Sequence, residues 1–337
     1  MDIAVVVNLR ARRGSEEVAR RCRAELPGAR VLASRSLAEA VGFARDLGAA
    51  PPDLLVSAGG DGTAVALINA MRDSFPSVPR GDFAIGVLPL GTGNGWARAT
   101  GAPRWTAALS RLRRASQRPG PLPSRRFDLV EVGGTAAHFA GTGWDAEIID
   151  NFYAQQTGLG VLPQPSRNGL AGYLHGMFTR TIPRHVFGGP MVEVELTNTG
   201  EDALGVDDAG RPYPLRGGEH GALLYRGPVS VCAAATSPEW GFGFRAFPFA
   251  GLVPRRFCMR AYAGHALEAT LRMGSLWRGT HPLTKMHSWL LTRCRAVFSR
   301  PVPFQVGGDR FGHKTDVEYT LAREQIDLLD WTRLRAA

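Results

Sequence analysis

The first 125 residues alternate short apolar stretches with segments whose apolar positions repeat at helical spacing. Residues 3–7 and 31–32 predict short strands, and residues 16–26 and 37–47 carry the pattern of amphipathic helices. Repeated strand–helix units favour a parallel sheet that is covered by helices on both faces. The pattern therefore predicts a doubly wound α/β domain over residues 1–125.

After this region the chain has the pattern of short strands. Two apolar stretches, 129–132 and 135–140, flank Gly133 and Gly134 and predict a hairpin. Further strand-like stretches lie at 191–196, 228–233, 257–262, 302–306 and 317–321. These stretches predict a mainly antiparallel β-sandwich domain over residues 126–322, and we expect the tail, residues 323–337, to return to the first domain.

Residues 151–185 do not follow the strand pattern. They mix apolar and aromatic residues with glycines and basic residues, and they predict a helical insertion in the β domain. Such an insertion either forms a cap whose apolar face guides an acyl chain or packs on the sheet as an ordinary helix pair. The sequence leaves both interpretations open.

A glycine-rich loop follows the apolar stretch 54–56. Its residues are Gly59, Gly60, Asp61, Gly62 and Thr63. Glycines let a ligand approach the backbone, and the N–H groups at the start of the following helix favour phosphate oxygens. A carboxylate beside phosphate needs a cation or a proton, so Asp61 is a candidate Mg²⁺ ligand or general base. The alternative is a simple turn in which Asp61 caps the helix.

A second loop of the same kind follows the apolar stretch 84–89. It contains Gly91, Thr92, Gly93 and Asn94, and a helix-like stretch begins at Trp96. Consecutive strands of a parallel sheet place such loops side by side at its carboxyl edge, where open α/β folds bind ligands. The two loops together predict a nucleotide site.

Composition narrows the class of protein. With 337 residues, 44% hydrophobic and 21% charged, the chain is typical of a globular protein of two domains. Its apolar runs are far shorter than the roughly 20 residues that span a bilayer, and the N-terminus resembles a first strand more than a signal peptide. The four cysteines lack metal or redox spacing. We therefore expect a cytoplasmic protein.

The chain is strongly basic, with a formal net charge of +10. An anionic membrane surface attracts each nearby basic residue by roughly 1 kcal/mol, so the charge suits a protein that visits such a surface. Nucleic acid is the other polyanion to consider. The sequence contains no helix-turn-helix, zinc-finger or basic–aromatic signature, and we expect no nucleic-acid partner.

The ordered motifs resemble the diacylglycerol kinase catalytic-domain superfamily, which includes sphingosine and ceramide kinases and soluble bacterial lipid kinases. The resemblance is carried by residues 59–63, 89–94, 127–129 and 140–146, and more loosely by later patterns such as 306–309. NAD kinases and phosphofructokinases share the first loop. They are disfavoured because the second loop differs and because no Asn-Glu pair follows it. The Gly-x-x-x-x-Gly-Lys-Ser/Thr loop of other kinases is absent from the sequence.

The resemblance implies a lipid kinase that uses ATP and Mg²⁺ to phosphorylate a hydroxyl of a membrane lipid, either diacylglycerol or a ceramide or sphingoid base. It implies nucleotide bound by the first domain, lipid reaching a cleft between the domains, and peripheral association with the inner membrane face. The sequence indicates no stable protein partner and leaves a homodimer open. Nucleotide-binding residues carried over are Asn8, Ser34, Gly59, Gly60, Gly62, Thr63, Gly91, Thr92, Gly93 and Asn94; Arg98 and Asp145 are expected at the acceptor, and Asp61 is the metal ligand.

Two residues compete for the role of catalytic base. In sphingosine kinase-like members the base is the aspartate of the first loop, which is Asp61 here. In soluble bacterial diacylglycerol kinases a C-terminal Asp-Gly-Glu motif is implicated, and this chain has Gly307, Gly308 and Asp309 there. The first acid is missing. Either Asp61 is the base and Asp309 assists, or Asp309 takes the role.

Other acids of the family are also missing. Ala66 and Gly95 stand where members usually have acids, and residues 250–254 contain no acid where some bacterial members bind a structural Mg²⁺. The residues expected to hold phosphate are all present. The alternative to an active kinase is therefore a regulator that binds nucleotide and lipid with little or no activity.

Overall fold

The computed structural model describes residues 1–11, 13–72, 83–91, 93–118, 120–154, 179, 191–240 and 243–336. The chain divides into two compact units. The N-terminal unit comprises Met1–Phe127 and Arg323–Ala337, and the C-terminal unit comprises Asp128–Ala322. The predicted insertion near 151–185 lies largely outside the described residues, which include only its start and residue 179.

The strands and helices follow one another in chain order. The strands are β1 (Ile3–Asn8), β2 (Arg30–Ser34), β3 (Leu54–Gly59), β4 (Ala84–Pro89), β5 (Ser124–Phe127), β6 (Val130–Val132), β7 (Thr135–Ala137), β8 (Phe139–Gly143), β9 (Val192–Asn198), β10 (Leu204–Val206), β11 (Pro212–Pro214), β12 (Leu223–Val229), β13 (Val231–Ala235), β14 (Phe257–Tyr262), β15 (Met286–Leu291), β16 (Arg293–Val306), β17 (Asp309–Leu321) and β18 (Ile326–Leu329). The helices are α1 (Glu16–Glu25), α2 (Leu37–Gly48), α3 (Asp61–Arg72), α4 (Gly95–Ala99), α5 (Trp105–Ser116), α6 (Trp144–Ala154), α7 (Ala266–Leu271) and α8 (Met273–Arg278), followed by a 3₁₀ helix at Arg333–Ala336. Within the described part of the chain, no helix combines the length and apolarity needed to cross a membrane.

The N-terminal unit is built on a six-stranded sheet in the order β2–β1–β3–β4–β18–β5. Every pairing is parallel except that of β18 with β5. Strands β3 and β4 are almost entirely buried because helices cover both faces of the sheet. On one face, side chains such as Val5, Val56 and Leu88 pack with α1 and α5. The predicted doubly wound α/β domain is confirmed.

The serines that precede α1 and α2 begin these helices. Ser15 Oγ accepts a hydrogen bond from Val18 N–H at 3.3 Å, and Ser36 Oγ accepts one from Glu39 N–H at 3.1 Å. These bonds satisfy amides that have no partner within the helix. Both helices lie within one residue of the predicted bounds.

The last strand of the chain lies inside the N-terminal sheet. β18 pairs with β4 on one side and with β5 on the other. Asp327 in β18 forms an ion pair with Arg126 in β5 at 2.9 Å. This pairing explains why the units divide after Phe127 and not at the predicted boundary after residue 125.

The described strands of the C-terminal unit form one connected antiparallel network of 12 strands. Its main path is β11–β10–β15–β14–β13–β8–β16–β17–β6–β7, and β9 joins β12 to β16. The predicted antiparallel β domain is confirmed, including the hairpin of β6 and β7 with positive φ at Gly133 and Gly134. The predicted single strand at 228–233 is wrong. The chain breaks at Ser230, whose hydroxyl donates to the Gly264 carbonyl at 2.8 Å, and so separates β12 from β13.

We expect the substitution Trp331→Ala to destabilise the N-terminal unit. The Trp331 side chain is fully buried in the core shared with α1, α5 and the sheet, and truncating such a side chain costs about 3–5 kcal/mol. Urea denaturation followed by circular dichroism measures the effect. Trp105→Ala, at the partly buried rim of the same core, is the matched control and should cost less; equal costs would contradict a core role for the tail.

Candidate functional site

The candidate nucleotide site lies at the carboxyl edge of the parallel sheet. β1, β2, β3 and β4 all end there, at Asn8, Ser34, Gly59 and Pro89. Asn8 is opposite Ser34 and Gly59 is opposite Pro89 in the strand pairings. The two glycine loops therefore follow neighbouring parallel strands.

The two loops meet backbone against backbone. A Cβ atom added at Gly91 would clash with Gly60 Cα, and one added at Gly60 would lie 3.2 Å from Gly91 Cα. The Gly59 carbonyl accepts hydrogen bonds from Leu90 N–H at 3.0 Å and from Gly91 N–H at 3.1 Å. Glycine is required at position 91 because a side chain there would meet the backbone of the other loop, and a side chain at position 60 would be tight against the same contact.

The Asp61 carboxylate joins the first loop to the helix that follows the second. Its Oδ2 accepts a hydrogen bond from Gly95 N–H at 3.0 Å, and its Oδ1 accepts one from Trp96 N–H at 3.1 Å. Asn94, at the N-cap position of α4, makes no side-chain cap of its own, so Asp61 supplies the cap from the other loop. A Cβ atom at Gly93 would lie 2.8 Å from Oδ2. The carboxylate is thus fixed in orientation, and each oxygen keeps lone pairs for another ligand.

Asn94 closes the second loop on itself. Its backbone is left-handed with φ of 54°, a conformation that asparagine tolerates better than most residues. Its Oδ1 accepts from Gly91 N–H at 3.1 Å, and its Nδ2 donates to the Gly91 carbonyl at 2.9 Å. Arg98 donates to the Gly93 carbonyl. Thr92 lies outside the described residues.

Asn8 connects the first strand to the first glycine loop. Asn8 Nδ2 donates to Thr63 Oγ1 at 2.9 Å, and Asn8 Oδ1 accepts from Arg10 N–H at 2.9 Å. Ser34 is fully buried, and its hydroxyl donates to the Val7 carbonyl at 3.2 Å. The Ser34 proton is therefore used within the sheet, whereas the Asn8–Thr63 bond joins the end of β1 to the first turn of α3.

The start of α3 offers backbone N–H groups. The helix begins at Asp61, and Ala64 N–H, bonded to the Gly60 carbonyl at 3.2 Å, closes its first turn. The amides before it, including those of Gly62 and Thr63, have no acceptor within the helix. Amides at a helix N-terminus beside a glycine-lined loop are well suited to an anion.

The carboxylates near the loops are few. In the ranges that the structure describes, no three His, Cys, Asp or Glu side chains are close enough together to hold a metal ion. Mg²⁺ in phosphoryl-transfer sites needs only one or two carboxylates, because phosphate oxygens and water complete its coordination. Asp61 alone meets that minimum.

Arg255 follows directly after the segment 250–254, where some bacterial members of the family bind a structural Mg²⁺, and it binds the carboxylate of Asp128. Arg255 Nη1 lies 2.7 Å from Asp128 Oδ1, and Arg255 N–H donates to Asp128 Oδ2 at 3.0 Å. Its Nη2 also donates to the Ala322 carbonyl at 3.0 Å. An arginine therefore supplies the positive charge at Asp128.

Asp145 lies in the first turn of α6, directly after β8. Both of its carboxylate oxygens are buried. Burial raises the pKa of Asp145 from 3.8 to about 7, while the backbone amides of Ala146 and Asp145 and the Gln305 side chain act in the opposite direction. A carboxyl group with this pKa can give or take a proton near neutral pH.

Asp309 begins β17 after a turn of two glycines. Gly307 and Gly308 have φ values of 61° and 90°, which glycine adopts without strain. The fully buried Gln305 accepts from Gly308 N–H through Oε1 at 2.9 Å, and its side chain also lies against Asp145. The C-terminal unit thus brings Asp145 and the turn before Asp309 to one place.

Gln305 and the amides of Gly95 and Trp96 are the site residues that the sequence did not indicate. Gln305 left a signal, because it is a polar residue in the apolar stretch 302–306 directly before two glycines. The two amides left none, since their bonds to Asp61 depend on which strands are neighbours in the sheet.

One comparison with known proteins covers the N-terminal part of the chain. Residues 2–122 match the family model described as the diacylglycerol kinase catalytic domain. The resemblance to this superfamily is confirmed over that range. No curated protein matches the sequence significantly.

Solved structures share the fold over nearly the whole chain. Two structures from Bacillus anthracis str. Sterne, each described provisionally as a diacylglycerol kinase, are 12% identical with TM-scores of 0.63; one match covers 97% of both chains and the other covers 99% of this chain and 98% of that one. A third, described as a diacylglycerol kinase from the same organism, is 11% identical with a TM-score of 0.60 and covers 97% of this chain and 96% of that one. At these identities the similarity establishes the two-domain fold.

We expect Asp61→Ala to loosen the start of α4. Loss of an N-cap costs about 1 kcal/mol, and the Gly95 and Trp96 amides lose their acceptors. Hydrogen exchange at these two amides should accelerate and the urea midpoint should fall. Asp46→Ala, at an exposed position of α2, is the control and should leave both unchanged; unchanged exchange in Asp61→Ala would show that the carboxylate does not act as the cap.

The raised pKa of Asp145 predicts a pH-dependent stability. Between the unfolded value of 3.8 and the folded value of about 7, the folded state holds a proton that the unfolded state has lost. This group therefore makes the free energy of unfolding fall as pH rises through that range. Relative to wild type, Asp145→Asn should be more favourable at pH 8 than at pH 5 in urea denaturation. The exposed Asp208→Asn should show no such change with pH, and a difference between Asp145→Asn and wild type that is the same at both pH values would refute the buried acid.

Proposed function

We propose that this chain, whose residues 2–122 match the diacylglycerol kinase catalytic-domain model, is a lipid kinase that transfers the γ-phosphoryl group of ATP to a hydroxyl of a membrane lipid. The observation that carries the proposal is the pair of glycine loops held together by Asp61. The acceptor class, diacylglycerol or a ceramide or sphingoid base, is left to experiment.

The loops fit a triphosphate in their chemistry. The start of α3 offers backbone N–H groups, and the glycines at 59, 60, 62, 91 and 93 have no side chains to keep phosphate oxygens from the backbone. We assign Asn8, Thr63, Thr92 and Asn94 to the edges of this nucleotide site. Ser34, at the end of β2 opposite Asn8, also belongs to this site. We assign that role to its backbone, because its hydroxyl already donates to the Val7 carbonyl.

Asp61 is the residue that would hold Mg²⁺. Its two oxygens are oriented by the amides of Gly95 and Trp96 and keep lone pairs for a metal or for bound water. Mg²⁺ neutralises charge that develops on the transferred phosphoryl group. Asp61 therefore serves the reaction by fixing the position of that charge.

The C-terminal unit would meet the acceptor alcohol. An alcohol has a pKa far above 7, so its proton must pass to a base as the new bond forms. Asp145 and Asp309 supply carboxyl groups around Gln305, and we propose that Asp145 orients the acceptor. The base that accepts this proton is one of the two aspartates that the sequence indicates, Asp61 or Asp309. Arg98, bonded to the Gly93 carbonyl, keeps the second loop in shape beside the acceptor.

The substrate implies a membrane partner. We propose a peripheral protein at the inner membrane face, since the lipid must be reached from the surface and the net charge of +10 attracts the chain to anionic lipids. No nucleic acid is needed in this function.

One observation favours a second candidate function. Both Asp61 oxygens already accept hydrogen bonds, and Gly307 replaces the first acid of the C-terminal motif. A chain with these features can bind nucleotide and lipid without turnover, as a regulator. Both functions require nucleotide binding, but only the kinase forms a phosphorylated product.

Transfer of labelled phosphate from ATP with Mg²⁺ to diacylglycerol, ceramide, sphingosine and NAD in mixed micelles tests the proposal. We expect a labelled lipid with wild type, and at least a hundredfold lower rate with Asp61→Asn because a charged ligand is lost. Asp46→Asn, at an exposed site in α2, should retain full activity.

Calorimetric binding of ATP with Mg²⁺ separates the two functions. Binding without a labelled product would favour the regulator, and labelled NAD would overturn both. A labelled lipid formed equally by Asp61→Asn would remove Asp61 from the reaction.

A further inference from the structure

The C-terminal unit exposes large apolar side chains at the helix pair α7–α8. Leu271, the last residue of α7, is 82% exposed, and Met273 and Trp277, one turn apart on α8, are 41% and 44% exposed. We call these three side chains the apolar tip. Contact of such side chains with water is unfavourable, so a cluster of them marks a surface that binds something.

The apolar tip is fixed to the body of the unit. Leu276, also on α8, is buried with Tyr262 and Leu283. The Trp277 ring stacks on Phe244 at 5.4 Å between centroids, and the Trp277 carbonyl accepts from Arg245 N–H at 3.0 Å. The tip is therefore held outward by the packing beneath it.

Cations surround the apolar tip. Arg272 and Lys285 share one carboxylate, that of Glu268, at 3.5 and 2.9 Å. Arg278 in α8 and Arg245 beside it form no ion pair with any described residue. Arg245, Arg272, Arg278 and Lys285 are thus four cations in or beside the helix pair, and Glu268 pairs with two of them.

This combination complements an anionic bilayer. Tryptophan favours the interface, leucine and methionine enter the acyl boundary, and arginines bind headgroup phosphates. A second copy of the chain fits less well. A two-fold contact would bring the same surface, with the same excess of positive charge, against itself.

We propose that the apolar tip and its flanking arginines form the surface by which this chain docks on an anionic membrane. This proposal rests on the proposed lipid kinase function, because a lipid substrate is the reason for the chain to dock on a membrane. Trp144 packs edge-on against Tyr262 at 5.8 Å and belongs to the same apolar cluster as Leu276. It directly precedes Asp145, so packed side chains connect the docking surface with the residue that we propose orients the acceptor.

Sedimentation with vesicles, in the absence of nucleotide, tests the docking surface. Wild type should bind vesicles of phosphatidylcholine mixed with phosphatidylglycerol more tightly than vesicles of phosphatidylcholine alone. Leu271→Ser should weaken binding about tenfold through lost apolar burial. Arg278→Gln should weaken it about fivefold, with a smaller effect at high salt because salt screens the attraction.

The controls match the variants in chemistry and exposure. Leu223→Ser changes a leucine of the same unit that is 47% exposed, and Arg216→Gln changes an exposed arginine; both should bind as wild type does. Thermal melting should show that Leu271→Ser remains folded, because the side chain is so exposed. Equal binding by the tip variants and wild type, or equal losses in the controls, would overturn the proposal.

Two further outcomes have definite meanings. A wild-type dimer that Leu271→Ser converts to a monomer, seen by light scattering, would make the tip an interface between copies and overturn membrane docking. Vesicle binding that depends on the tip, in a chain that phosphorylates no lipid, would support the docking surface and refute the kinase. Lipid phosphorylation by a chain whose vesicle binding does not depend on the tip would support the kinase and refute the docking surface.

Discussion

The N-terminal site depends on the contact between the backbones of Gly60 and Gly91. Two backbone segments can approach this closely only where neither carries a side chain, and only if another contact prevents the loops from moving apart. Asp61 provides that restraint, because it belongs to one loop and bonds the helix after the other. Asn94 and Asn8 then fix the remaining edges of the loops. This single contact therefore sets the positions of the backbone amides, and with them the position of any anion that they bind.

The two units place their carboxylates in different surroundings. Asp61 lies against backbone amides at a helix N-terminus, where negative charge is favoured. Asp145 is buried, and desolvation raises its pKa. The surroundings of each carboxylate are therefore set within its own unit.

Much of the fold followed from the sequence because its signals are local. Strand patterns and helical periodicity located β1, β3, β4, α1 and α2, and the glycine motifs located two loops that the sheet places together. The role of Asp61 as the cap of α4 could not be predicted, since helix capping across loops depends on strand order. The break at Ser230 escaped prediction for a similar reason, because its hydroxyl bonds to a carbonyl 34 residues away. The choice between Asp61 and Asp309 as base remains a prediction.

The insertion of β18 between β4 and β5 also bears on how the protein is made. A ribosome delivers β1 to β5 first, yet the sheet they form lacks an internal strand until Ile326–Leu329 has been synthesised. The whole of the C-terminal unit is translated in the interval. During that time β4 and β5 have no partner between them, so a nascent chain exposes sheet edges that are prone to wrong pairing. Early termination of translation near the end of the message would therefore impair the N-terminal unit, although the missing residues are farthest from its first strands in sequence.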